Sequence, residues 1–312
     1  MAQKLTSTKF RDILVSRGEY FLPTKDKVIP GSDASGTVIA VGKLVTRFEP
    51  GDKVITLFNQ EHIGGPHNPG TVGSGLGGAL DGTMRTHAAF NEQGLVRLPN
   101  GISFTEGATL TCAGLTAWNS LFGLEGKKLL PGQWVLTQGT GGVSIFALQF
   151  AKAIGARVIA TTSSSEKAEL LKKLGADHII NYRETPEWGQ KAKELADGLG
   201  VHHIIEVAGP KSMKQSIDAI RIEGLISIIG FVNGLEKDQP GFIECLFRLC
   251  TARGVLVGNR IQMEEMVAAI EANTEKLRPV VDSKVFKLEE LQEALKYQFA
   301  GKHQGNVCIE IK

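Results

Sequence analysis

Cysteine is scarce in this sequence and shows no pairing pattern. The chain has 312 residues and four cysteines, Cys112, Cys245, Cys250 and Cys308, and no two of them form a Cys-x-x-Cys motif. Such spacing argues against a disulfide framework and against a four-cysteine zinc lobe. It is typical of a protein in a reducing compartment, so we expect a cytoplasmic location.

Long apolar runs and a strong net charge are absent as well. No apolar stretch approaches the roughly 20 residues that a membrane helix needs, and the formal charge is only +2. The sequence therefore predicts no membrane and no nucleic-acid partner, and a small molecule is the expected substrate. The first residues, MAQKLTSTKFR, are basic and lack acids, so a short transit peptide is the alternative to a cytoplasmic protein.

The chain changes character near residue 100. Before this point, glycine-rich turns separate short β-type runs at 36–42 and 52–58, and the glycine-rich segment 59–83 is expected to be a long loop. After residue 132, apolar strands alternate with amphipathic helices. This alternation predicts an α/β fold with a doubly wound, parallel, six-stranded Rossmann sheet. The predicted strands are 134–139, 157–162, 178–183, 202–208, 225–231 and 254–260, and a last strand at 306–311 is expected to return to the first domain.

One turn in the second half carries a chemical motif. The stretch TQGTGGVSIF follows an apolar strand and opens an apolar helix. Gly139 allows a tight turn, and Gly141 and Gly142 keep side chains away from a pyrophosphate at the helix N-terminus. Ser144 replaces the third glycine of the usual motif, a mild departure because serine is small. We predict a dinucleotide site; the alternative is a strand–helix turn that binds nothing.

The acidic residue typical of an NAD site is missing. Such sites carry Asp or Glu about 20 residues after the glycines, yet no acid occurs within residues 139–165. Ser163, Ser164 and Lys167 suit a 2′-phosphate, which a carboxylate would repel. The sequence therefore favours NADPH over NADH. The alternative is that Ser163 caps the next helix and Glu166 completes a capping box.

Six stretches, in chain order, carry a wider pattern: FRDILVSRGEY, PGSDASGTVIAVG, RFEPGDKV, TLTCAGLTAW, VLTQGTGGVS and GADHIINYRE. Together they resemble the medium-chain dehydrogenase/reductase superfamily, and within it the zinc-free branch of quinone-oxidoreductase-like and alcohol-dehydrogenase-like enzymes. The resemblance covers nearly the whole chain. It implies a β-rich GroES-like catalytic domain (1–110 and 261–312), a Rossmann cofactor domain (111–260), a substrate cleft between them, and a homodimer.

The resemblance also implies roles for single positions. One residue would lie near the nicotinamide, the glycine turn would hold the pyrophosphate, and hydroxyl, ammonium and aromatic side chains would surround the adenosine phosphate. The ends of later strands would line the nicotinamide ribose. In that order the positions are Thr116; Gly139, Thr140, Gly141, Gly142 and Val143; Ser163, Ser164, Lys167 and Tyr182; and Val207, Gly209, Gly230 and Phe231.

The positions of the zinc ligands in zinc-dependent relatives are mostly changed. Residues 31–33 read Gly-Ser-Asp where those relatives have Gly-His-Glu, and residues 9–12 contain no cysteine where their first cysteine ligand would fall. Only Cys112 matches a third ligand. A catalytic zinc needs about three protein ligands, so we predict no zinc. His62 and His67 of the glycine-rich loop are expected to be solvated or to lie near the substrate.

No catalytic proton donor stands out. The candidates are Asp12, Tyr20, Thr116 and Asp81, and Asp81 has the alternative role of shaping a turn. Relatives carry more residues before the position of Lys9, so the resemblance implies a catalytic domain that is truncated at its N-terminus. Lys9 itself stands where the family often has an asparagine beside the nicotinamide.

Three functions follow as hypotheses. The first is a zinc-independent, NADPH-dependent oxidoreductase that transfers hydride to an activated acceptor, namely a quinone, an enone or a related carbonyl. A biosynthetic pathway is one setting for such a step. The second is an alcohol dehydrogenase that acts in the oxidative direction. The third is an NADPH-binding protein without catalysis, because of the short N-terminus. The glycine turn and the other site residues favour an enzyme.

Overall fold

The computed structural model describes residues 1–237 and 239–311. They form two compact units. The β-rich unit joins Met1–Leu115 to Val257–Lys312, and the Rossmann unit is Thr116–Leu256. The sequence had suggested boundaries at 110/111 and 260/261.

The strands are short and are numbered here in chain order. They are β1 Ala2–Ser7, β2 Asp33–Thr37, β3 Lys53–Thr56, β4 Leu95–Arg97, β5 Trp134–Gln138, β6 Arg157–Thr162, β7 His178–Asn181, β8 Val201–Glu206, β9 Ile220–Ile228, β10 Thr251–Gly254, β11 Val281–Lys287 and β12 Asn306–Glu310.

The α-helices follow the same scheme, and a single π-helical turn at Leu110–Gly114 precedes the fourth. They are α1 Phe10–Arg17, α2 Pro69–Val72, α3 Phe104–Gly107, α4 Leu115–Phe122, α5 Gly142–Ala153, α6 Ser165–Lys173, α7 Trp188–Leu195, α8 Pro210–Ala219, α9 Ile243–Arg248, α10 Arg260–Ala272, α11 Thr274–Leu277 and α12 Leu291–Phe299.

The β-rich unit contains a six-stranded sheet in the order β11-β12-β1-β2-β3-β4. Strand β1 pairs with β12 on one side and with β2 on the other, antiparallel in both cases. The residues considered above as a transit peptide therefore form this inner strand and the start of α1. Strand β12 returns to this unit, as predicted for the last β run. The predicted β-rich GroES-like fold is confirmed.

Two predicted strands were misplaced. The run at 36–42 belongs to the sheet only up to Thr37, because its partner β3 begins at Lys53, opposite Thr37. The run predicted at 254–260 is wrong: β10 is Thr251–Gly254, and Asn259 already caps α10. Val255 and Val257 are buried without belonging to a strand, so burial alone explains their apolar character. Strand β11 was not predicted.

The Rossmann unit contains the predicted parallel sheet, in the order β10-β9-β8-β5-β6-β7. Leu136, Ile159 and Ile204 are fully buried in its core, as expected for strands covered on both faces. Strand β5 has β6 on one side and β8 on the other, so the strand order reverses there. Ligands of such sheets bind outside the carboxyl ends of the strands at this switch point.

The predicted loop at 59–83 is largely irregular. It contains only the short helix α2 and isolated bridges at Asn59–Gly75 and Leu76–Leu80. In the part of the chain that the structure describes, the longest apolar helices are too short or too polar to cross a membrane.

Candidate cofactor and catalytic sites

The glycine turn lies at the switch point of the Rossmann sheet. Strand β5 ends at Gln138, Gly139 has the left-handed φ of 73°, and Gly141 is the N-cap of α5. A Cβ added at Gly139 or Gly141 would meet no atom within 4 Å. The N-terminus of a twelve-residue helix therefore faces open space, and its unpaired N–H groups and dipole favour an anion there. The residues fit a pyrophosphate.

Ser144, which replaces the third glycine of the motif, makes a structural hydrogen bond. Its side chain is 1% exposed, and its Oγ donates a hydrogen bond to the carbonyl of Gln138 at 2.7 Å. Serine thus ties the first turn of α5 to the end of β5. The helix and the strand are held together here by a hydroxyl.

The ends of β6 and β7 bring together the residues predicted for the adenosine phosphate. Ser163 and Ser164 follow β6, and the backbone N–H of Tyr182, just after β7, donates to the Thr162 carbonyl at 3.0 Å. The Tyr182 side chain is 41% exposed. Ser164, and not Ser163, is the N-cap of α6, with its side chain accepting from the Lys167 N–H. The alternative capping box of Ser163 and Glu166 is therefore wrong, and the Ser163 hydroxyl does not cap the helix.

The ends of β8 and β9 meet at a second turn. The N–H of Val232 donates to the Val207 carbonyl at 3.2 Å. Gly209 has a left-handed φ of 101°, and a Cβ there would lie 2.7 Å from the Cα of Phe231. A Cβ at Gly230 would lie 3.1 Å from the Val207 carbonyl oxygen. The four positions predicted for the nicotinamide ribose thus lie in two loops that pack closely against each other.

A buried carboxylate organises this turn, and sequence reasoning missed it. Glu206, the last residue of β8, is 0% exposed. Its carboxylate accepts hydrogen bonds from the N–H groups of Ala208 and Gly209, from the hydroxyls of Ser212 and Ser216, and from the Gln138 amide. The side-chain oxygen of Gln138, Oε1, in turn accepts from the N–H groups of Val207 and Ala208 at 3.1 Å. The sequence feature that could have indicated this role is the single acid in the apolar run at 202–208.

Thr116 and Thr140, which were also predicted to contact the cofactor, are both buried. Thr116 is 2% exposed in α4, and Thr140 is 4% exposed in the glycine turn. The Ser120 hydroxyl donates to the Thr116 carbonyl at 2.7 Å. Val143, in the first turn of α5, is partly exposed.

Two of the proton-donor candidates have local structural partners. Asp12 is 0% exposed and accepts from the backbone N–H of Lys9 at 2.7 Å, which caps α1; burial raises the pKa of its carboxyl group. Asp81 pairs with the Lys25 ammonium and accepts from the Ile29 N–H at 3.1 Å, and these bonds hold its pKa below the usual range. Asp81 therefore shapes a turn, the alternative considered for it.

Tyr20 lies in a different environment. Its phenol is partly buried, and the Arg11 guanidinium lies 4.9 Å from the centre of its ring. Burial raises the pKa of the Tyr20 phenol, an effect that the Arg11 charge opposes. The hydroxyl is therefore protonated at neutral pH and can donate a hydrogen bond. Arg11 is itself fixed by a 2.6 Å bond from Nη1 to the Leu76 carbonyl.

Lys9, Asp33 and Cys112 converge in the β-rich unit. The Lys9 Nζ lies 3.3 Å from the Asp33 carboxylate, and both side chains are buried. Asp33 Oδ2 also accepts from the backbone N–H of Cys112 at 2.9 Å. Burial, followed by the Asp33 charge, raises the pKa of the Cys112 thiol to about 12. Cys112 is therefore protonated at neutral pH.

The two loop histidines contact each other. The rings of His62 and His67 are tilted by 35° to each other, with their centres 3.9 Å apart. His62 Nε2 lies 3.0 Å from the Gly65 carbonyl, and His67 Nδ1 lies 3.1 Å from the Thr71 hydroxyl. His62 is 3% exposed and burial lowers its pKa, so the expectation that it is solvated is wrong.

Comparisons with known proteins decide the family. The N-terminal residues 2–100 match the alcohol dehydrogenase GroES-like domain, and residues 142–272 match the zinc-binding dehydrogenase family. A zinc-type alcohol dehydrogenase-like protein of Schizosaccharomyces pombe is 44% identical over 99% of this chain and 89% of its own length. The chain belongs to the medium-chain dehydrogenase/reductase superfamily of oxidoreductases. The predicted superfamily is confirmed.

Solved structures of this superfamily share the fold. A structure described as an alcohol dehydrogenase from Sinorhizobium meliloti superposes with a TM-score of 0.89 at 38% identity, covering 99% of this chain and 89% of that one. An NAD-dependent alcohol dehydrogenase superposes with a TM-score of 0.87 at 29% identity, covering 100% and 91%. NAD(P)-dependent oxidoreduction is thus the chemistry of the family to which the chain belongs.

The matched family implies a zinc ion, but the donors in this chain do not fit one. By the resemblance, the three ligand positions fall within residues 9–12, at Ser32 and at Cys112; within 9–12 the buried Lys9 offers an ammonium, Ser32 offers a hydroxyl and Cys112 a protonated thiol. An ammonium has no lone pair to give to a metal, and this one already pairs with Asp33. Among residues 1–237 and 239–311, no three His, Cys, Asp or Glu side chains are grouped so that they could hold a metal ion.

Proposed function

We propose that this protein is a zinc-independent, NADPH-dependent reductase that transfers hydride to an activated acceptor, namely a quinone, an enone or a related carbonyl. The end of β6 carries the proposal. Ser163 follows β6, Lys167 lies in the first turn of α6, Tyr182 follows β7, and no acid occurs from Gly139 of the glycine turn to Ser165. Hydroxyl and ammonium groups bind a 2′-phosphate, whereas an NAD site places a carboxylate at this point.

The Rossmann unit offers a place for each part of the cofactor. The glycine turn and Val143 would hold the pyrophosphate, and the paired turns at Val207–Gly209 and Gly230–Phe231 would hold the nicotinamide ribose, with Thr116 near the nicotinamide. NADPH, when bound, supplies the hydride. The chain's own contribution is to fix these turns before the cofactor arrives, through Glu206 and Gln138.

Tyr20 is the side chain that we propose as the donor to the substrate oxygen. Reduction of a carbonyl places negative charge on oxygen, and a hydrogen-bond donor stabilises it. The Tyr20 hydroxyl carries a proton at neutral pH, and the adjacent Arg11 charge favours the phenolate that would follow its loss. Asp12 and Asp81 are committed to a helix cap and a turn. Thr116 is the other candidate among those predicted.

Oxidation of an alcohol is the second candidate function. The relatives reported above carry the name alcohol dehydrogenase, which favours it. The residues needed are the same, because the hydride and the proton move in reverse. Rates measured with NADPH plus carbonyl and with NADP⁺ plus alcohol, at one pH, separate the two directions.

The cofactor assignment is tested by titrating the purified chain with NADPH and NADH. We expect tighter binding of NADPH and its oxidation in the presence of a quinone, enone or aldehyde panel. Lys167→Ala should weaken NADPH binding about tenfold, the effect of losing a charge-assisted bond, and should leave NADH unchanged. Lys172→Ala, in the last turn of the same helix, is the control. Preference for NADH contradicts the phosphate site, and binding without turnover contradicts the reductase and favours the non-catalytic hypothesis.

A homodimer is part of the proposal. Strand β10 lies at the edge of the Rossmann sheet, and beside α9 the side chains of Phe242, Leu246 and Phe247 are 92%, 64% and 67% exposed. An unpaired edge next to an apolar patch supports pairing with a second copy. Light scattering should give a dimer, and Phe247→Glu should give a monomer. Leu199→Glu, at an exposed apolar residue that follows α7, should leave the dimer intact.

The cofactor and the cysteines together favour a cytoplasmic setting. All four cysteines are free thiols in the structure, which supports a reducing compartment. Fluorescent tagging at the C-terminus, followed by fractionation, checks this location.

A further inference from the structure

The Lys9 side chain is fully occupied inside the β-rich unit. Its Nζ lies 2.7 Å from the Ser7 hydroxyl, 3.1 Å from the Asn306 side-chain oxygen and 3.3 Å from the Asp33 carboxylate. A lysine ammonium has three N–H groups, so each has one acceptor. The three acceptors come from β1, β2 and β12, three neighbouring strands of the sheet. The ammonium is therefore held rigidly at one point.

Asp33 is the counterpart of this cation. It is 0% exposed, and it accepts from the Ser32 hydroxyl at one oxygen while the other serves Lys9 and the Cys112 N–H. The carboxylate thus joins β2, the residue before α1 and the π-helical turn that contains Cys112. A buried carboxylate needs such partners, because transfer from water without them is costly.

By the resemblance, the zinc ligands of zinc-dependent relatives fall within residues 9–12, at position 32 and at position 112, so this cluster occupies the region of their metal site. There, two thiolates and an imidazole would neutralise a divalent ion. Here one ammonium and one carboxylate give the same zero net charge, and no thiolate is needed. The exchange keeps a positive charge at the centre of the cluster while changing the group that supplies it.

We infer that the Lys9 ammonium takes the place of the catalytic metal as the fixed cation of the β-rich unit, and that it positions Asp33 and the Cys112 turn. Lys9 is on this account a positioning residue that makes the metal dispensable. It does not donate to the substrate, because its three N–H groups are already used. The inference rests on the zinc independence of the proposed function.

The first test separates charge from packing. Lys9→Met leaves Asp33 buried without a counter-ion, and we expect its melting temperature to fall by roughly 10 °C. Lys9→Met combined with Asp33→Asn removes both charges, and the melting temperature should recover at least half of that loss. An unchanged melting temperature in Lys9→Met would overturn the inference. So would a double variant no more stable than Lys9→Met.

The second test measures whether the cluster binds zinc when two metal ligands are introduced. Lys9→Cys with Ser32→His adds two zinc ligands beside Cys112, and elemental analysis after dialysis against zinc should find one Zn²⁺ per chain. Ser32→His alone keeps the ammonium and should bind none, as should the wild-type chain. One zinc per wild-type chain would overturn both the inference and zinc independence. Zinc bound by Ser32→His alone would overturn the inference only.

These outcomes are distinct from those of the cofactor assay. If wild-type protein binds no zinc and the Lys9 variants behave as expected, the inference stands whatever the nicotinamide or acceptor proves to be. If the chain oxidises NADPH and Lys9→Met is as stable as wild type, the reductase stands and the inference fails.

Discussion

The two units each contain a fully buried carboxylate, and they satisfy it in different ways. Asp33 in the β-rich unit pairs with the Lys9 ammonium. Glu206 in the Rossmann unit is surrounded by neutral donors, two of them backbone N–H groups of the turn that follows it. Both groups are 0% exposed, so the difference lies in the partners that each fold provides.

The position of each acid in its strand explains the difference. Asp33 opens β2, where the next N–H, that of Ala34, donates to the Thr56 hydroxyl, and the one backbone N–H recorded at its carboxylate is that of Cys112. Glu206 ends β8, where the next residues leave the sheet and their N–H groups need acceptors. Glu206, at the end of its strand, is therefore held by the turn that it shapes, while Asp33, at the start of its strand, is held by a side-chain cation together with two neutral donors.

Removal of each negative charge should give the largest difference in stability between the two sites. Asp33→Asn leaves a buried ammonium unpaired, and we expect a loss of about 3–5 kcal/mol in the free energy of unfolding. Glu206→Gln loses part of a set of neutral hydrogen bonds, and we expect about 1–3 kcal/mol. Urea denaturation measures both. A larger loss for Glu206→Gln would contradict the distinction between the two sites.

A buried histidine of the Rossmann unit should make the stability of the fold depend on pH. Burial lowers the pKa of His203, in β8, to about 4. Above pH 6.5 the folded and unfolded chains both hold it neutral. Between pH 6.5 and about 4 only the unfolded chain binds the proton, so stability falls as the pH falls through this window, by up to about 3 kcal/mol. His203→Leu should flatten this part of the Tm–pH curve; an unchanged curve would contradict the assignment.

The Glu206 network should matter for the cofactor as well as for stability. Glu206→Gln disturbs the turn at Val207–Gly209, so we expect the Kd for NADPH to rise about tenfold, the equivalent of about 1.4 kcal/mol. Ser216→Ala removes one donor from the other carboxylate oxygen and leaves the turn's own bonds in place. It is the control, and its Kd should change little. Equal effects of the two variants would mean that Glu206 acts on stability alone.

The smallest effect on stability is expected at the glycine turn. Gly141 has an ordinary φ of −75° and open space around it, so Gly141→Ala should change the Tm by less than about 2 °C. It should nevertheless weaken NADPH binding about tenfold, because the methyl group fills space that the pyrophosphate needs. Gly241→Ala, also in open space, should change neither. Unaltered NADPH affinity in Gly141→Ala would contradict the placement of the pyrophosphate.

Much of the Rossmann unit was predictable because its signals are local. Strands β5 to β9 follow apolar runs, and the turn at Gly139 follows from glycine spacing in a strand–helix context. The errors came where an apolar residue is buried for another reason. Val255 and Val257 are buried next to β10 but outside it, and periodicity does not distinguish these two cases.

The β-rich unit was less accessible for a physical reason. Its sheet joins β1 to β12, which lie at opposite ends of the chain, and no local pattern reports such a pairing. The first residues were therefore considered as a transit peptide, although they form an inner strand. Lys9 stood out only as a departure from the family's asparagine, and Asp33 only as part of the changed zinc-ligand stretch 31–33, and their ion pair was not expected.

The sequence by itself determined the class of the fold, the family and the glycine turn, because these depend on the order and spacing of residues that lie near one another in the chain. It also set the absence of an acid within residues 139–165. The tertiary structure alone decided which charges meet: that Lys9 faces Asp33 and Asn306, and that Glu206 collects the N–H groups of its own turn. Burial makes these partnerships obligatory, because a charge removed from water must find its partners within the fold.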